Sequence, residues 1–503
     1  MTRSEVRSEV RSEVRIDALA TRGAPDCPAI VVPGGETLTY GELDRAATRF
    51  ARGLVAGGAV AGQRLVLANA NTPGFFVALF GAARAGLVAV PLDPGLAAAE
   101  LRTVLAHARP HAVVVDARST PVFEPLGAPL CGVDATEATT EATTGARADE
   151  APPHRGDHPA LILYTSGTTG TPRGAVHTHA GVLHKVEAIR AHFALGTTDR
   201  ALCMLPTHFG HGLVCTCLTT LHAGSALVLC RPFDAQLLPR VFALAEDHGA
   251  TTFSTVPTIV RLLVRNQAVR RTRGRLRYVT CASAPLHAEE VDAFEARFGV
   301  PLLNCYGLTE AGTWSAMSPL DPARDRRSVG IAAGCTFRAV SAAGEPLATG
   351  EVGELEVAGP SVMRGYDGDP DATARTLRDG WLATGDLGRI DAAGRVFLAG
   401  RSKELIIRAG ANIYPAEIEG VLLRHPAVAE AYVVGLDHAL LGEQVAACIV
   451  CKDGCTASDA ELIQHCRTAL APYKCPETIR FTSAVPKTSR GKVSRASLAA
   501  LFR

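Results

Sequence analysis

Residues 164–174 read YTSGTTGTPRG, a run of hydroxyls and glycines that follows the apolar stretch Ala160, Leu161, Ile162 and Leu163. An apolar strand that empties into such a loop is suited to a polyphosphate. Small residues let the backbone approach phosphate oxygens, consecutive amides form an anion-binding nest, and Ser and Thr hydroxyls add neutral donors. The residues after the loop are apolar and helix-compatible. The run is not a Walker-type loop, because that pattern requires Gly-Lys followed by Ser or Thr, and here Pro172 precedes Arg173 and Gly174. A nucleotide site of another kind is implied.

The rest of the chain supplies the frame for that loop. From about Ile30, apolar strand-like runs (64–69, 88–91, 112–116, 226–229) alternate with Ala/Leu-rich helical stretches such as 40–56 and 73–85, which argues for α/β layers with largely parallel sheets. Residues 136–153 are poor in large apolar side chains and read as an exposed loop. Between Val329 and Val396, short strands separated by Gly344, Gly350, Gly353 and Gly394 read as an antiparallel, barrel-like layer. The last hundred residues hold strands at 429–435, 445–450 and 478–481 and helices at 415–424 and 458–470, enough for a small α+β unit. A chain of 503 residues exceeds the roughly 250 to 300 at which one core stops growing. The expected organisation is a tail over 1–15, a large N-terminal α/β domain of two α/β sheets plus the barrel-like layer over 16–401, and a small α+β domain over 402–503.

Charge and composition narrow the function. A net charge of +1 with 20% charged residues gives no basic excess, so neither nucleic acid nor an anionic membrane surface is the expected partner. No apolar run approaches the ~18 residues of a membrane span. Fourteen Cys lack paired metal spacing, which reads as reduced, mostly buried thiols in a cytoplasmic protein, a monomer or homodimer. The tail contains RSEV three times; its four-residue period sets like charges at i and i+4 and reads as a solvated segment.

Further blocks follow the loop in order: NCYGLTE at 304–310, GELEVAGPSVMRGY at 353–366, WLATGD at 381–386, GRSKELIIRAGANIYPAEIE at 400–419 and PKTSRGKVSR at 486–495. Together with the loop they resemble the adenylate-forming superfamily of acyl-CoA synthetases, nonribosomal peptide adenylation domains and firefly luciferase, and are most similar to bacterial acyl-CoA ligases. The resemblance runs from PLDP at 91–94 through Lys492. It implies a two-step reaction in which a carboxylic acid attacks the α-phosphorus of ATP with Mg²⁺ to give acyl-AMP, and a thiol, usually CoA, then displaces AMP.

Site roles follow from that resemblance. Thr165, Ser166, Gly167, Thr168, Thr169, Gly170 and Arg173 would hold the β- and γ-phosphates. Ser283, Ala284 and Pro285 of CASAPL would line one side of the base and Tyr306 would stack on the other. Glu310 would bind the metal, Thr309 would donate to the α-phosphate, and Asp386, assisted by Arg401, would hold the ribose hydroxyls. Two anions must meet in the first step, so positive charge is needed where negative charge concentrates. Lys492 would supply it, and Lys403 would be the hinge that withdraws it between half-reactions while the loop of Arg408, Ala409 and Gly410 swings toward the CoA channel. Arg173 stands where the family has Lys, and Ala409 where many CoA ligases have Gly. That second departure leaves open a partner ligase or carrier protein as acyl acceptor; a non-catalytic nucleotide binder is the reading from another class. His208, Phe209, His211, Ala282, Cys305 and Gly307 would line the acyl pocket. Ala282 and Cys305 fill positions where Gly is common, which suits a compact cyclic, aryl or polycyclic acid of specialised metabolism better than a long straight chain. His208 and His211 lack a third ligand and are expected to be a pocket wall rather than a metal pair.

Overall fold

The computed structural model describes residues 15–133, 156–165, 172–270, 274–401, 404–408, 411–438, 440–486, 493 and 495–502. The RSEV repeats and the whole of the 136–153 loop lie outside them.

Local sequence sets the elements first. Helix Tyr40–Ala56 starts at a capping box in which Glu42 N–H donates to Thr39 Oγ1 at 3.2 Å and Thr39 N–H donates to Glu42 Oε2 at 2.9 Å. It buries Tyr40, Leu43, Ala47, Phe50 and Leu54, a helical stripe that packs on the almost wholly apolar helix Pro73–Arg84. Strands such as Ala226–Leu229 and Tyr278–Cys281 are buried along their whole length, as parallel strands covered on both faces should be.

These elements build three sheets. The largest has fourteen strands. One half is parallel: Pro28–Val31, Ala226–Leu229, Arg200–Cys203, Thr252–Thr255, Tyr278–Cys281 and the start of Leu302–Leu308. The other half is antiparallel and includes Thr313–Met317, Gly330–Ala332, Arg395–Arg401, Trp381–Ile390, Gly353–Ala358 and Thr336–Val340. The mixed α/β class expected from the sequence is thus present, and the antiparallel layer continues the parallel one as an open sheet. Strand Leu302–Leu308 is the junction: Leu302, Leu303 and Asn304 pair in parallel with one neighbour, and Cys305 to Leu308 pair antiparallel with the other.

The second sheet has seven strands, parallel from Pro159–Thr165 through Val88–Pro91, Arg64–Leu67 and Ala112–Val114 to Leu130–Cys131. Its other edge corrects one expectation. The segment after the glycine and hydroxyl loop is not a helix but strand Arg173–Thr178, antiparallel to Pro159–Thr165, and helix His179–His192 begins only after it. Ala175 and His177 are buried against the partner strand, and this long-range pairing overrides the weak local preference of Arg-Gly-Ala-Val-His-Thr. The two strands that flank residues 166–171 thus pair antiparallel, and those residues themselves lie outside the described ones.

The third sheet draws all five strands from residues 406–481 and has its own apolar core, including Ile406, Ile418, Leu422, Val433, Val445, Ile449 and Leu462. Among the described residues no helix is long and apolar enough to cross a membrane.

Candidate active site

Several of the expected site residues lie at or just past the C-terminal ends of strands, the edge at which open α/β sheets bind ligands. Thr165 ends Pro159–Thr165, Ser283 to Pro285 follow Tyr278–Cys281 and are exposed, and Tyr306, Gly307, Thr309 and Glu310 lie at and just past the junction strand. Ser166 to Gly170, Lys403, Ala409, Gly410 and Lys492 lie outside the described residues.

Asp386 is the best-defined member. It sits in strand Trp381–Ile390, 5% exposed, where Tyr306 donates its hydroxyl to Oδ2 at 2.6 Å and Arg401 Nε lies 2.9 Å from Oδ1. The strand pairing sets Asp386 directly opposite Arg401, so register positions the ion pair. Burial and the neighbouring carboxylate together push the Tyr306 phenol well above its ordinary pKa, so it stays a donor.

Glu310 lies in a single 3₁₀ turn, Thr309–Ala311, and its Oε1 accepts the Tyr366 hydroxyl at 2.9 Å. Met363 N–H donates to the Glu310 carbonyl at 2.8 Å, and Arg364 N–H to the Val176 carbonyl at 2.8 Å, so the segment around 363–366 clips the Glu310 turn to strand Arg173–Thr178. Arg173 lies 5.6 Å from the Tyr366 ring centre and 3.5 Å from Asp369. Among the described residues no group of three His, Cys, Asp or Glu forms a cage. One oriented carboxylate fits Mg²⁺, which binds through one or two carboxylates together with substrate phosphates.

Two close approaches shape the centre. A Cβ on Gly307 would lie 1.9 Å from the Thr313 carbonyl oxygen, so only Gly lets the junction strand meet its neighbour there. Thr313 itself has φ +88°, a rare conformation for a β-branched residue, and it is buried.

Among the residues expected to line the acyl pocket, His208 Nε2 is 3.6 Å from Asp93 Oδ2 and its ring meets Phe209 edge-on. His211 Nδ1 is 3.0 Å from Ser283 Oγ. Burial drives His211 down to about 3, so the ring is neutral. Ala282 and Cys305 are buried in one cluster with Trp314. Burial pushes the Cys305 thiol well up and the adjacent Cys215 up to about 11, which leaves neither as a nucleophile. Arg408 is held within its own sheet's neighbourhood, 2.6 Å from Glu477 and donating to the Tyr473 carbonyl at 2.9 Å.

Residues 18–367 match the AMP-binding enzyme family and residues 417–492 match the AMP-binding enzyme C-terminal domain. The chain belongs to the AMP-binding enzymes. A sulfoacetate–CoA ligase of Cupriavidus necator is 36% identical over 95% of this chain and 96% of its own. A feruloyl-CoA synthase of Amycolatopsis is 34% identical over 93% and 95%. The crystal structure of ATP-bound MatB from Rhodopseudomonas palustris superposes with a TM-score of 0.88 at 30% identity, covering 97% of this chain and 99% of that one. As a member of this family the chain is an AMP-forming acid–thiol ligase of the acyl-CoA synthetase class, as expected from its motifs.

Four contacts in this AMP-binding enzyme carry no sequence-derived role: Tyr366 on Glu310, Asp369 on Arg173, Asp93 beside His208, and Trp314 against His211 at a ring-centre distance of 5.0 Å. Tyr366 and Asp93 belong to quoted blocks, RGY and PLDP. Trp314 and Asp369 belong to none.

Proposed function

We propose that the protein activates a compact cyclic, aryl or polycyclic carboxylic acid as its acyl-AMP and then forms the CoA thioester. In this reading the carboxylate attacks the α-phosphorus, pyrophosphate leaves, and the thiol then attacks the acyl carbon with AMP as leaving group. Asp386 holds the ribose hydroxyls, Tyr306 and Ser283 to Pro285 flank the base, and Thr165, Arg173 and the loop between them take the β- and γ-phosphates. Glu310 would hold Mg²⁺, which neutralises phosphate charge when bound, and Tyr366 orients that carboxylate. Thr309 donates to the α-phosphate, Lys492 brings positive charge to the two anions, and Lys403 marks the hinge between the domains at 16–401 and 402–503.

The observation that carries the reading is Asp386, a buried carboxylate fixed by Arg401 and by Tyr306, whose own strand ends just before the Glu310 turn. A buried carboxylate is retained at such cost only when it is fully paired or has a ligand to meet. Membership of a family whose relatives are named CoA ligases supports the thioester step. Ala409 supports a second reading of that step alone, because a methyl group at a close backbone approach favours transfer to a partner ligase or carrier protein.

The test is pyrophosphate release by the purified protein across fatty, aryl and polycyclic acids, with and without CoA. Release with an aryl or cyclic acid, followed by a CoA thioester, supports the reading. Acid-dependent release with no thioester transfers the second step to a partner, and no release with any acid refutes the reading.

A further inference from the structure

Two buried nitrogens at the proposed acyl site have no hydrogen-bond partner among the described residues: His211 Nε2 and Trp314 Nε1. They sit on rings in edge contact, 5.0 Å between centres and 62° between planes. A buried polar atom that makes no hydrogen bond is destabilising, so two on touching rings require a reason.

Both rings are held in place by their surroundings. Trp314 is 4% exposed, packs edge-on against Phe193 at 6.4 Å, and shares a core cluster with Ala282 and Cys305. Its carbonyl oxygen accepts from Lys185 Nζ at 2.5 Å, and Lys185 is fully buried. His211 begins the π-helical segment His211–Leu218, a rare geometry found often at functional sites, and its Nδ1 faces Ser283, itself at φ +77°. Strained backbone adjoins each ring: Ser283 faces His211, and Thr313, at φ +88°, directly precedes Trp314.

The chemistry of the orphaned atoms selects the ligand. An indole N–H only donates, whereas His211 Nε2 donates or accepts according to which way the Ser283 hydroxyl points at Nδ1. A hydroxyl oxygen satisfies both in either tautomer. A keto or ether oxygen satisfies both only when His211 donates. A second carboxylate would need a cation, and Lys185, buried beside this wall, is already engaged by the Trp314 carbonyl.

The geometry points to an acid that carries a hydroxyl group distal to its carboxyl, recognised by Trp314 Nε1 and His211 Nε2. This inference rests on the acyl-adenylation reading above and deepens it to a substrate class, hydroxylated compact acids. In this assignment the indole, clustered with Ala282 and Cys305, stands at the end of the acyl site, and its N–H with the imidazole makes that end polar.

The experiment compares matched pairs with the purified full chain: 4-hydroxybenzoate against benzoate, 4-hydroxycinnamate against cinnamate, and 4-hydroxycyclohexanecarboxylate against its unsubstituted parent. The readout is kcat/KM from pyrophosphate release. A site built to bond a hydroxyl rejects the analogue lacking it strongly, so at least one pair should differ by on the order of 10² or more. Trp314→Phe and His211→Leu should each shrink that ratio at least about tenfold, chiefly by loss on the hydroxylated member, a selective change that general misfolding would not produce. If Trp314→Phe does not fold, His211→Leu alone decides. Equal or better use of the unsubstituted acids by the wild type overturns the inference and leaves acyl adenylation standing. No release with any acid overturns both.

Discussion

Replacing Asp386 by Ala tests the nucleotide half of the site. The carboxylate is 5% exposed and is assigned both ribose hydroxyls, and hydrogen bonds to a charged group are worth about 1.5–3 kcal/mol each. Losing two costs about 3–6 kcal/mol, or roughly 10² to 10⁴ in kcat/KM for ATP. The substitution also strands the Tyr306 hydroxyl, which is buried, at about 1–3 kcal/mol of stability; Arg401, 54% exposed at its side chain, turns to water. The assay is acid-dependent ATP–pyrophosphate exchange with ATP, 2′-deoxyATP and 3′-deoxyATP, run on the wild type, Asp386→Ala and Tyr306→Phe. The wild type should lose at least about tenfold with each deoxynucleotide, and Asp386→Ala should be almost indifferent to them, because the interaction they remove is already gone. Tyr306→Phe, which keeps the carboxylate, should retain the discrimination. A wild type that uses deoxynucleotides as well as ATP, or an Asp386→Ala variant still sensitive to them, refutes the ribose assignment.

Three other outcomes follow. Lys492→Ala should slow adenylation by at least ~10² to 10³, the scale for one aimed transition-state donor, and pyrophosphate exchange near the wild-type rate would remove Lys492 from that role. Tyr366→Phe leaves Glu310 Oε1 without its donor and should raise the Mg²⁺ concentration needed for half-maximal rate by about 10- to 100-fold, read from a metal titration at saturating ATP; an unchanged titration would make Tyr366 a packing residue. Lys185→Met concerns stability. Burial lowers the Lys185 pKa from 10.5, so below 10.5 the unfolded chain binds more protons than the folded one, and the wild type loses stability as pH falls from 10.5 toward the folded value. Urea midpoints should therefore move in favour of Lys185→Met as pH falls, and parallel curves for the two proteins would mean that Lys185 is not desolvated.

Much of this fold is legible in the chain, and the exceptions share a physical cause. Strands Val88–Pro91 and Ala226–Leu229 and helix Tyr40–Ala56 are marked by apolar runs and by the Thr39–Glu42 box, all local signals. The hairpin after the loop is not, because Arg173–Thr178 becomes a strand through pairing with residues 159–165, and Ala, Val and His suit either state. The junction in Leu302–Leu308 is equally hidden, since the change from parallel to antiparallel partners depends on which strands arrive on each side. For the site, Asp386 and Arg401 stand out in their blocks, and their alignment across two strands follows from register. Trp314 could not be singled out: a Trp in a buried strand reads as core, and only its N–H beside His211, without a hydrogen-bond partner among the described residues, distinguishes it.

The central claim is that a carboxylate oxygen attacks the α-phosphorus of ATP. It is tested most directly by giving the purified protein a substrate acid labelled with ¹⁸O in both carboxyl oxygens, together with ATP and CoA, and weighing the products. Acyl adenylation predicts one ¹⁸O atom in AMP and none in pyrophosphate. Label in inorganic phosphate with ADP formed, or AMP free of label, would contradict the account.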